Sequence, residues 1–184
     1  MNDLNIDVDL AAKTKFNELL VELNDIISKK WLVLTNNGLN SLNDISNLFQ
    51  KLFCEDEEEN NCDLLTDLQS INNHFEEIKK ILESFKSLLD KLKLIESRLF
   101  NIFSFDFIQT EEFLFDKIFV KNLINSYKKE YELKELLVNQ YLSQNRNNRE
   151  ELVAITCYWM HEPCLDQMLI SQLKFLINYF KINS

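Results

Sequence analysis

Between Leu64 and Phe103 an apolar residue recurs every three or four positions over forty residues, and no glycine or proline interrupts the pattern. The row runs Leu64, Leu68, Ile71, Phe75, Ile78, Leu82, Phe85, Leu89, Leu92, Glu96, Leu99 and Phe103, with Glu96 its one polar member. A mean step of about 3.5 residues is that of a helix presenting a coiled-coil seam, so the spacing predicts one continuous helix. A second row at Ile81, Leu88, Ile95 and Ile102 widens the stripe and calls for at least two neighbouring helices. At about 1.5 Å per residue this helix is a rod of roughly 60 Å, whereas a globule of this chain length is about 40 Å across. Either the helix kinks or the molecule is elongated.

One glycine and one proline in 184 residues sharpen the fold class. Tight hairpins and phosphate-cradling loops need glycine where the backbone turns to positive φ, so the chain is expected to be all-α: an elongated helical bundle with a long central antiparallel coiled-coil hairpin. A net charge of −10 disfavours binding to a phosphate backbone as the main activity. No apolar run reaches the length of a membrane span, and the first residues, with Asp3, Asp7 and Asp9, lack the basic and apolar regions of a signal peptide. An intracellular soluble protein is expected, in which Cys54, Cys62, Cys157 and Cys164 are reduced thiols.

Four segments follow from the patterning, forming one folded unit. Residues 1–53 read as a helical hairpin. Its first helix, from about Val8 to Leu34, carries Leu19, Leu20, Leu23, Ile26, Ile27 and Trp31, and Asn36-Asn37-Gly38 is expected to stop it with glycine at the left-handed C′ position. Ser41 and Asp44 then open a second helix through Ile45, Leu48, Phe49, Leu52 and Phe53. Residues 54–62 contain five consecutive acids and read as a solvated linker. Residues 63–145 hold the long hairpin: the heptad helix, a connector over 104–110, and a mate that starts at Thr110 and ends near Leu142. The mate bears Val120, Ile124, Tyr127, Tyr131, Val138 and Tyr141 on one stripe. Residues 146–184 form a helical pair, the first running from Glu150 to His161 and bending before Pro163. The second runs from Leu165 to Phe180 with Leu169, Leu173, Leu176 and Phe180 on one face.

Chemistry-bearing groups are sparse. Cys157 and His161 share a helical face and Cys164 follows closely, which suits a soft metal, but structural zinc takes four ligands and the fourth is missing. A nucleophilic thiolate needs an electropositive pocket and an oxyanion hole, for which the pattern offers no loop. His74 reads as a surface residue of the heptad helix. No catalytic residue, metal or cofactor is expected. Lys117, Lys121, Lys128, Lys129 and Lys134 give the fourth helix a basic face, read as solvated with Glu130 and Glu132 pairing locally. Trp31 and Trp159 read as core or interface anchors.

Three stretches together resemble the cyclin-dependent kinase 2-interacting protein family. Trp31-Leu-Val-Leu34-Thr-Asn-Asn-Gly38, followed by Asn43-Asp-Ile45-Ser-Asn47-Leu48, is similar to that family's W-x-x-L-x-x-x-G helix end and N-x-I-x-N-L second helix. Tyr127-Lys-Lys129-Glu130-Tyr-Glu-Leu133-Lys134 is similar to its Y-[KR]-K-E-x-x-L-K stretch, and Trp159-Met-His161-Glu-Pro163 to its W-L-H-Q-P. The resemblance implies a non-enzymatic, nuclear adaptor with a possible cytoplasmic pool, linking cell-cycle kinases to DNA replication and checkpoint signalling. The partners it implies are cyclin-dependent kinase 2 and the ATR-interacting protein. It further implies a subunit, paired with a second small helical protein, of a chromatin-associated AAA+ ATPase complex acting in replisome proteostasis and large-ribosomal-subunit biogenesis. No direct nucleic-acid or membrane binding is expected.

On this reading the seam pairs with helices of another chain. The residues expected to bind partners are Trp31, Ile78, Leu82, Phe85, Leu89, Leu92, Tyr127, Tyr131, Trp159, His161 and Pro163. The alternative from another class is a structural coiled-coil homo-oligomer of unrelated role.

Overall fold

The computed structural model describes residues 3–54, 61–103, 117–143 and 149–182. All of them lie in helices or in the short turn after His161, and the protein is all-α. Helical turns run unbroken from Asp3 to Cys54, through α1 (Asp3–Asp25), a π-helical segment (Ile26–Trp31) and α2 (Leu32–Cys54). The remaining helices are α3 (Asn61–Phe103), α4 (Lys117–Ser143), α5 (Arg149–His161) and α6 (Gln167–Ile182).

The unbroken run corrects the expected break at Gly38 and the second start at Ser41, and with them the N-terminal hairpin. Gly38 does not take a positive φ, and Ser41, buried in mid-helix, donates to Glu77 Oε2 at 3.3 Å. The physical reason lies in the buried row. Phe16, Leu20, Leu23, Ile27, Trp31, Thr35, Leu42, Ile45 and Phe49 are all buried, and Gly38 falls in step between Thr35 and Leu42. From Leu23 to Thr35 the row advances by three successive fours. A regular helix of 3.6 residues per turn would carry such a row off its face. The wider π turn, closed by bonds to the fifth residue rather than the fourth, absorbs the surplus residue and keeps Trp31 and Thr35 facing inward. The same widening lets Asp25 reach both Lys29 (2.8 Å) and Lys30 (3.1 Å). Hydrogen bonds from Lys29 and then Lys30 hold the Asp25 carboxyl below the usual carboxylate range.

The heptad helix forms as expected and starts slightly earlier, at Asn61. Its seam is buried from Ile71 through Phe75, Ile78, Leu82, Phe85, Leu89 and Leu92 to Leu99, and Leu88 and Ile95 of the second row are buried with it. Leu64, Leu65 and Leu68, at its start, are exposed. The seam is therefore covered by the chain's own helices over most of its length, which removes the expectation that it needs another chain to cover it. The acidic run over 55–60, the connector over 104–110 and the Thr110 helix start lie outside the described residues.

The helices divide into two units by internal packing. One holds Met1–Trp31, Ser87–Lys128 and Cys164–Ser184, and the other holds Leu32–Lys86 and Lys129–Pro163. In the first, α1 packs against α6, and Trp31 meets Tyr127 edge-on with ring centres 4.7 Å apart. Asp166 begins α6 as an N-cap, its Oδ1 accepting from the backbone N–H of Met168 (2.9 Å) and Leu169 (3.2 Å). The buried face of α6 is Ile170, Leu173 and Ile177. It is rotated by one residue from the expected Leu169–Leu173–Leu176 row, whose Leu169 and Leu176 are only half-buried. In the second unit α2 packs against α5, and Phe75 lies against Tyr141 at 5.6 Å.

A deletion tests the account of the π segment. Removing Lys29, which is exposed, should convert the segment to α-helix, leave Lys30 four residues from Asp25, and keep Trp31 buried. The loss should stay within about 2 kcal/mol, or a shift in Tm of about 4–8 °C. Removing Asn43, also exposed but within α2, should turn Ile45 and Phe49 about 100° off the core and abolish cooperative unfolding. Equal damage from the two deletions, read by thermal denaturation and tryptophan fluorescence, would contradict the account.

Candidate functional site

The most constrained cluster lies in the second unit, where α2, α4 and α5 meet around Trp159. A glycine inside a helix costs about 1 kcal/mol relative to alanine, so Gly38 needs a reason. It has one: a Cβ at this position would stand 2.2 Å from Trp159 Cζ2 and 2.5 Å from Cε2. The missing side chain is the notch into which the indole fits. Trp159 is 1% exposed, its Nε1–H donates to the Thr35 carbonyl at 2.9 Å, and Phe85 meets it edge-on at 6.0 Å.

The end of α5 creates a polar problem beside this notch. Glu162 takes φ 45°, and its N–H bonds back to the Tyr158 carbonyl at 3.1 Å, the left-handed C-cap that glycine usually supplies. The next carbonyl, that of Trp159, would normally receive the N–H four residues on, but that residue is Pro163 and has none. A buried carbonyl without a donor is costly. Lys134 Nζ supplies it from α4, at 3.1 Å.

Lys134 is itself 1% exposed, so each proton of its ammonium group needs an acceptor. Glu130 Oε1, one turn back on α4 and fully buried, stands at 2.8 Å. Trp159 O is the second, and Glu162 Oε1 stands within ion-pair range at 3.4 Å. The ammonium also lies 4.9 Å from the centre of the Trp159 ring, within cation–π range. Glu162 in turn accepts from Thr35 Oγ1 at 2.8 Å. Thr35, Glu130, Lys134, Trp159 and Glu162 thus form one buried network. Lys134 donates hydrogen bonds to Glu130 and to the Trp159 carbonyl and pairs electrostatically with Glu162, which makes it part of the fold's framework.

This corrects the solvated basic face. Lys121, Lys128 and Lys129 are exposed as expected, but Lys134 is not, and Glu130 pairs with it in the interior. The stripe Tyr127, Tyr131, Lys134, Val138, Tyr141 holds the signal: lysine occupies a seam position where the period calls for an apolar residue.

The expected partner-binding residues divide sharply. Trp31, Ile78, Leu82, Phe85, Leu89, Leu92, Tyr127, Tyr131 and Trp159 are all buried and build the core of the chain. His161 and Pro163 are exposed. Cys157 is exposed and Cys164 half-buried. Among the described residues no three His, Cys, Asp or Glu side chains are grouped to hold a metal ion. His74 is half-buried, with Nδ1 3.2 Å from Glu77 Oε2. A shallow groove beside it, between α2 and α3, is lined by Asn37, Asn40, Ser41, Asp44, Glu77, Lys80 and Ile81.

The surface of α5 is the feature that sequence reasoning missed. Inward it places Leu152, Ile155 and Trp159; outward it exposes Glu150 in its first turn and then Val153, Ala154, Cys157, Tyr158, Met160 and His161, a run without Asp, Glu, Lys or Arg. A helix that is apolar on both sides is usually covered on both. In the other unit, Met168, Phe175 and Tyr179 of α6 are exposed and share one helical stripe. None of the described helices is long and apolar enough to cross a membrane. No protein-family model matches the chain, and no curated protein matches it.

The notch gives a test against intrinsic propensity. Gly38→Ala should stabilise an ordinary helix by about 1 kcal/mol. Here overpacking against Trp159 should turn that into a net loss of about 1–3 kcal/mol, measured by chemical denaturation. A gain in stability would show that the indole does not occupy the notch.

Proposed function

We propose that this chain is a non-enzymatic adaptor subunit of the kind that the resemblance to the cyclin-dependent kinase 2-interacting protein family implies. In that role it links cell-cycle kinases to DNA replication and checkpoint signalling in the nucleus. It also joins a chromatin-associated AAA+ ATPase complex, acting in replisome proteostasis and large-ribosomal-subunit biogenesis, with a second small helical subunit as its immediate mate. The observation that carries this reading is a convergence. The three stretches that bear the resemblance are far apart in sequence, yet each contributes to the one buried network: Thr35 and Gly38 from the first, Glu130 and Lys134 from the second, Trp159, Glu162 and Pro163 from the third. Residues that must fit one another sterically and electrostatically are those a family would keep together.

Within this reading α3 and α4 pair as the antiparallel hairpin. The contact of Phe75, early in α3, with Tyr141, late in α4, supports that direction. The outward face of α5 is the docking surface for the helical mate, replacing the seam in that role. It adjoins the resembling Trp159–Pro163 stretch, and covering large apolar side chains such as Met160 and Tyr158 is worth about 1.5–3 kcal/mol each.

Affinity purification of the tagged full chain, with mass spectrometry, tests the proposal. An AAA+ ATPase and a small helical protein should be recovered together, and both should be lost with Tyr158→Glu or Met160→Glu at unchanged thermal stability. Recovery of copies of this chain alone would favour the structural homo-oligomer instead and overturn the adaptor reading.

A further inference from the structure

In the groove between α2 and α3, charged side chains line one concave surface without pairing to one another. Lys51 reaches from α2 to Asp67 of α3 at 2.9 Å, and Ser41 reaches Glu77 at 3.3 Å. Both contacts fit one antiparallel register, which sets Lys80 and Ile81 across from Asn37, and His74 across from Asp44. The groove therefore carries a cation at one end and carboxylates toward the other. Glu77 is held by one oxygen only: buried Ser41 donates to its Oε2, and His74 Nδ1 stands 3.2 Å from the same atom. Its Oε1 has no partner among the described residues, and neither do the side chains of Asn37, Asn40, Asp44 and Lys80. Elsewhere on α3, Lys79 pairs with Glu76 and Lys93 with Asp90, each three residues apart. Lys80 and Glu77 have the same spacing, one that ordinarily favours pairing, yet they do not pair. The groove, of about 440 Å³, lies in the size range of ligand sites. It is shallow and open along its length, which suits a segment of chain rather than an enclosed small molecule.

We propose that this groove docks an α-helix of another protein that presents an arginine and a carboxylate two turns apart on one face. The wall from Asn37 to Asp44 covers seven residues of α2, about 10 Å along the axis, and side chains seven residues apart on a docked helix match that span. Toward the anionic end, Asp44 and the open oxygen of Glu77 come from opposite walls. A guanidinium carries its donors in a rigid fork and bridges two such acceptors, where an ammonium acts as a point charge. At the other end Lys80 receives the carboxylate, and the Asn37 amide donates to the same group. Between them Ile81 meets an apolar side chain of the visiting helix. Charge complementarity makes a second copy the poorer occupant, because two chains of net charge −10 repel each other. The proposal stands on these side chains and does not rest on the adaptor reading.

Titration of the isotope-labelled full chain, followed by nuclear magnetic resonance at low salt where surface pairs are least screened, tests it. The probes are three capped, alanine-rich helical peptides of about 20 residues. Each has a central leucine between two charged positions seven residues apart: Arg and Glu, Arg and Arg, or Glu and Glu. The mixed peptide should shift the side-chain amide signals of Asn37 and Asn40 and bind about tenfold more tightly than either control. Lys80→Glu should change the order so that the double-arginine peptide binds best, and Asp44→Lys should turn it toward the double-glutamate peptide. Loss of fold would weaken all three peptides together and produce neither change of preference. Three peptides bound alike, an unaltered order in Lys80→Glu, or no shift at Asn37 and Asn40 would overturn the proposal. So would a dimer of the free chain that Asp44→Lys dissociates, since the groove would then belong to a second copy.

Discussion

An ammonium group closed off from water dictates what surrounds it. Lys134 can be buried only where acceptors already face it, and the geometry of α5 provides them for a reason of its own. Pro163 ends that helix and withholds the N–H that the Trp159 carbonyl would have received. Glu162 turns the chain through a left-handed residue and brings its carboxylate back over α4. The lysine answers both features, with Glu130 completing its shell at 2.8 Å. A buried ion pair of this kind is a weak source of net stability and a strong source of specificity, because removing one partner strands the other. It admits one seating of α5 on α2 and α4, the one that Gly38 makes room for.

The same logic of fit explains where the chain could be read from its residues and where it could not. The period of α3 depends on forty consecutive positions, so the helix was legible almost to its ends. The bend before Pro163 followed from the sterics of the preceding residue. Gly38 was misread because two physical uses of glycine look alike in sequence: a left-handed cap and a close approach. The buried row continuing through Leu42, Ile45 and Phe49 distinguishes them. The three successive fours from Leu23 to Thr35 were a further signal, since they exceed what a regular helix can hold on one face.

Lys134 was less accessible to such reasoning. A glutamate four residues before a lysine stabilises an exposed helix surface, and the same pair serves equally well in an interior. The lysine's place in the Tyr127–Tyr141 stripe of α4 marks it as inward-facing, and α5 supplies the acceptors that keep it there. The exposed face of α5 has the opposite history. Its residues look like core in sequence, and half of them are core; the other half become surface because the described part of the chain offers nothing to cover them. That asymmetry moves the proposed interface from the seam of α3, which is buried by the chain itself, to the outward side of α5.

The seating of α5 depends on the burial of one side chain, and competitive lysine labelling of the native protein, read by mass spectrometry, measures it directly. Lys121, Lys128 and Lys129 should react at the rate of exposed amines. Lys134 should be protected by at least a hundredfold, and the protection should vanish on denaturation. Labelling of Lys134 at the rate of Lys128 in the folded protein would contradict the network and with it the seating of α5.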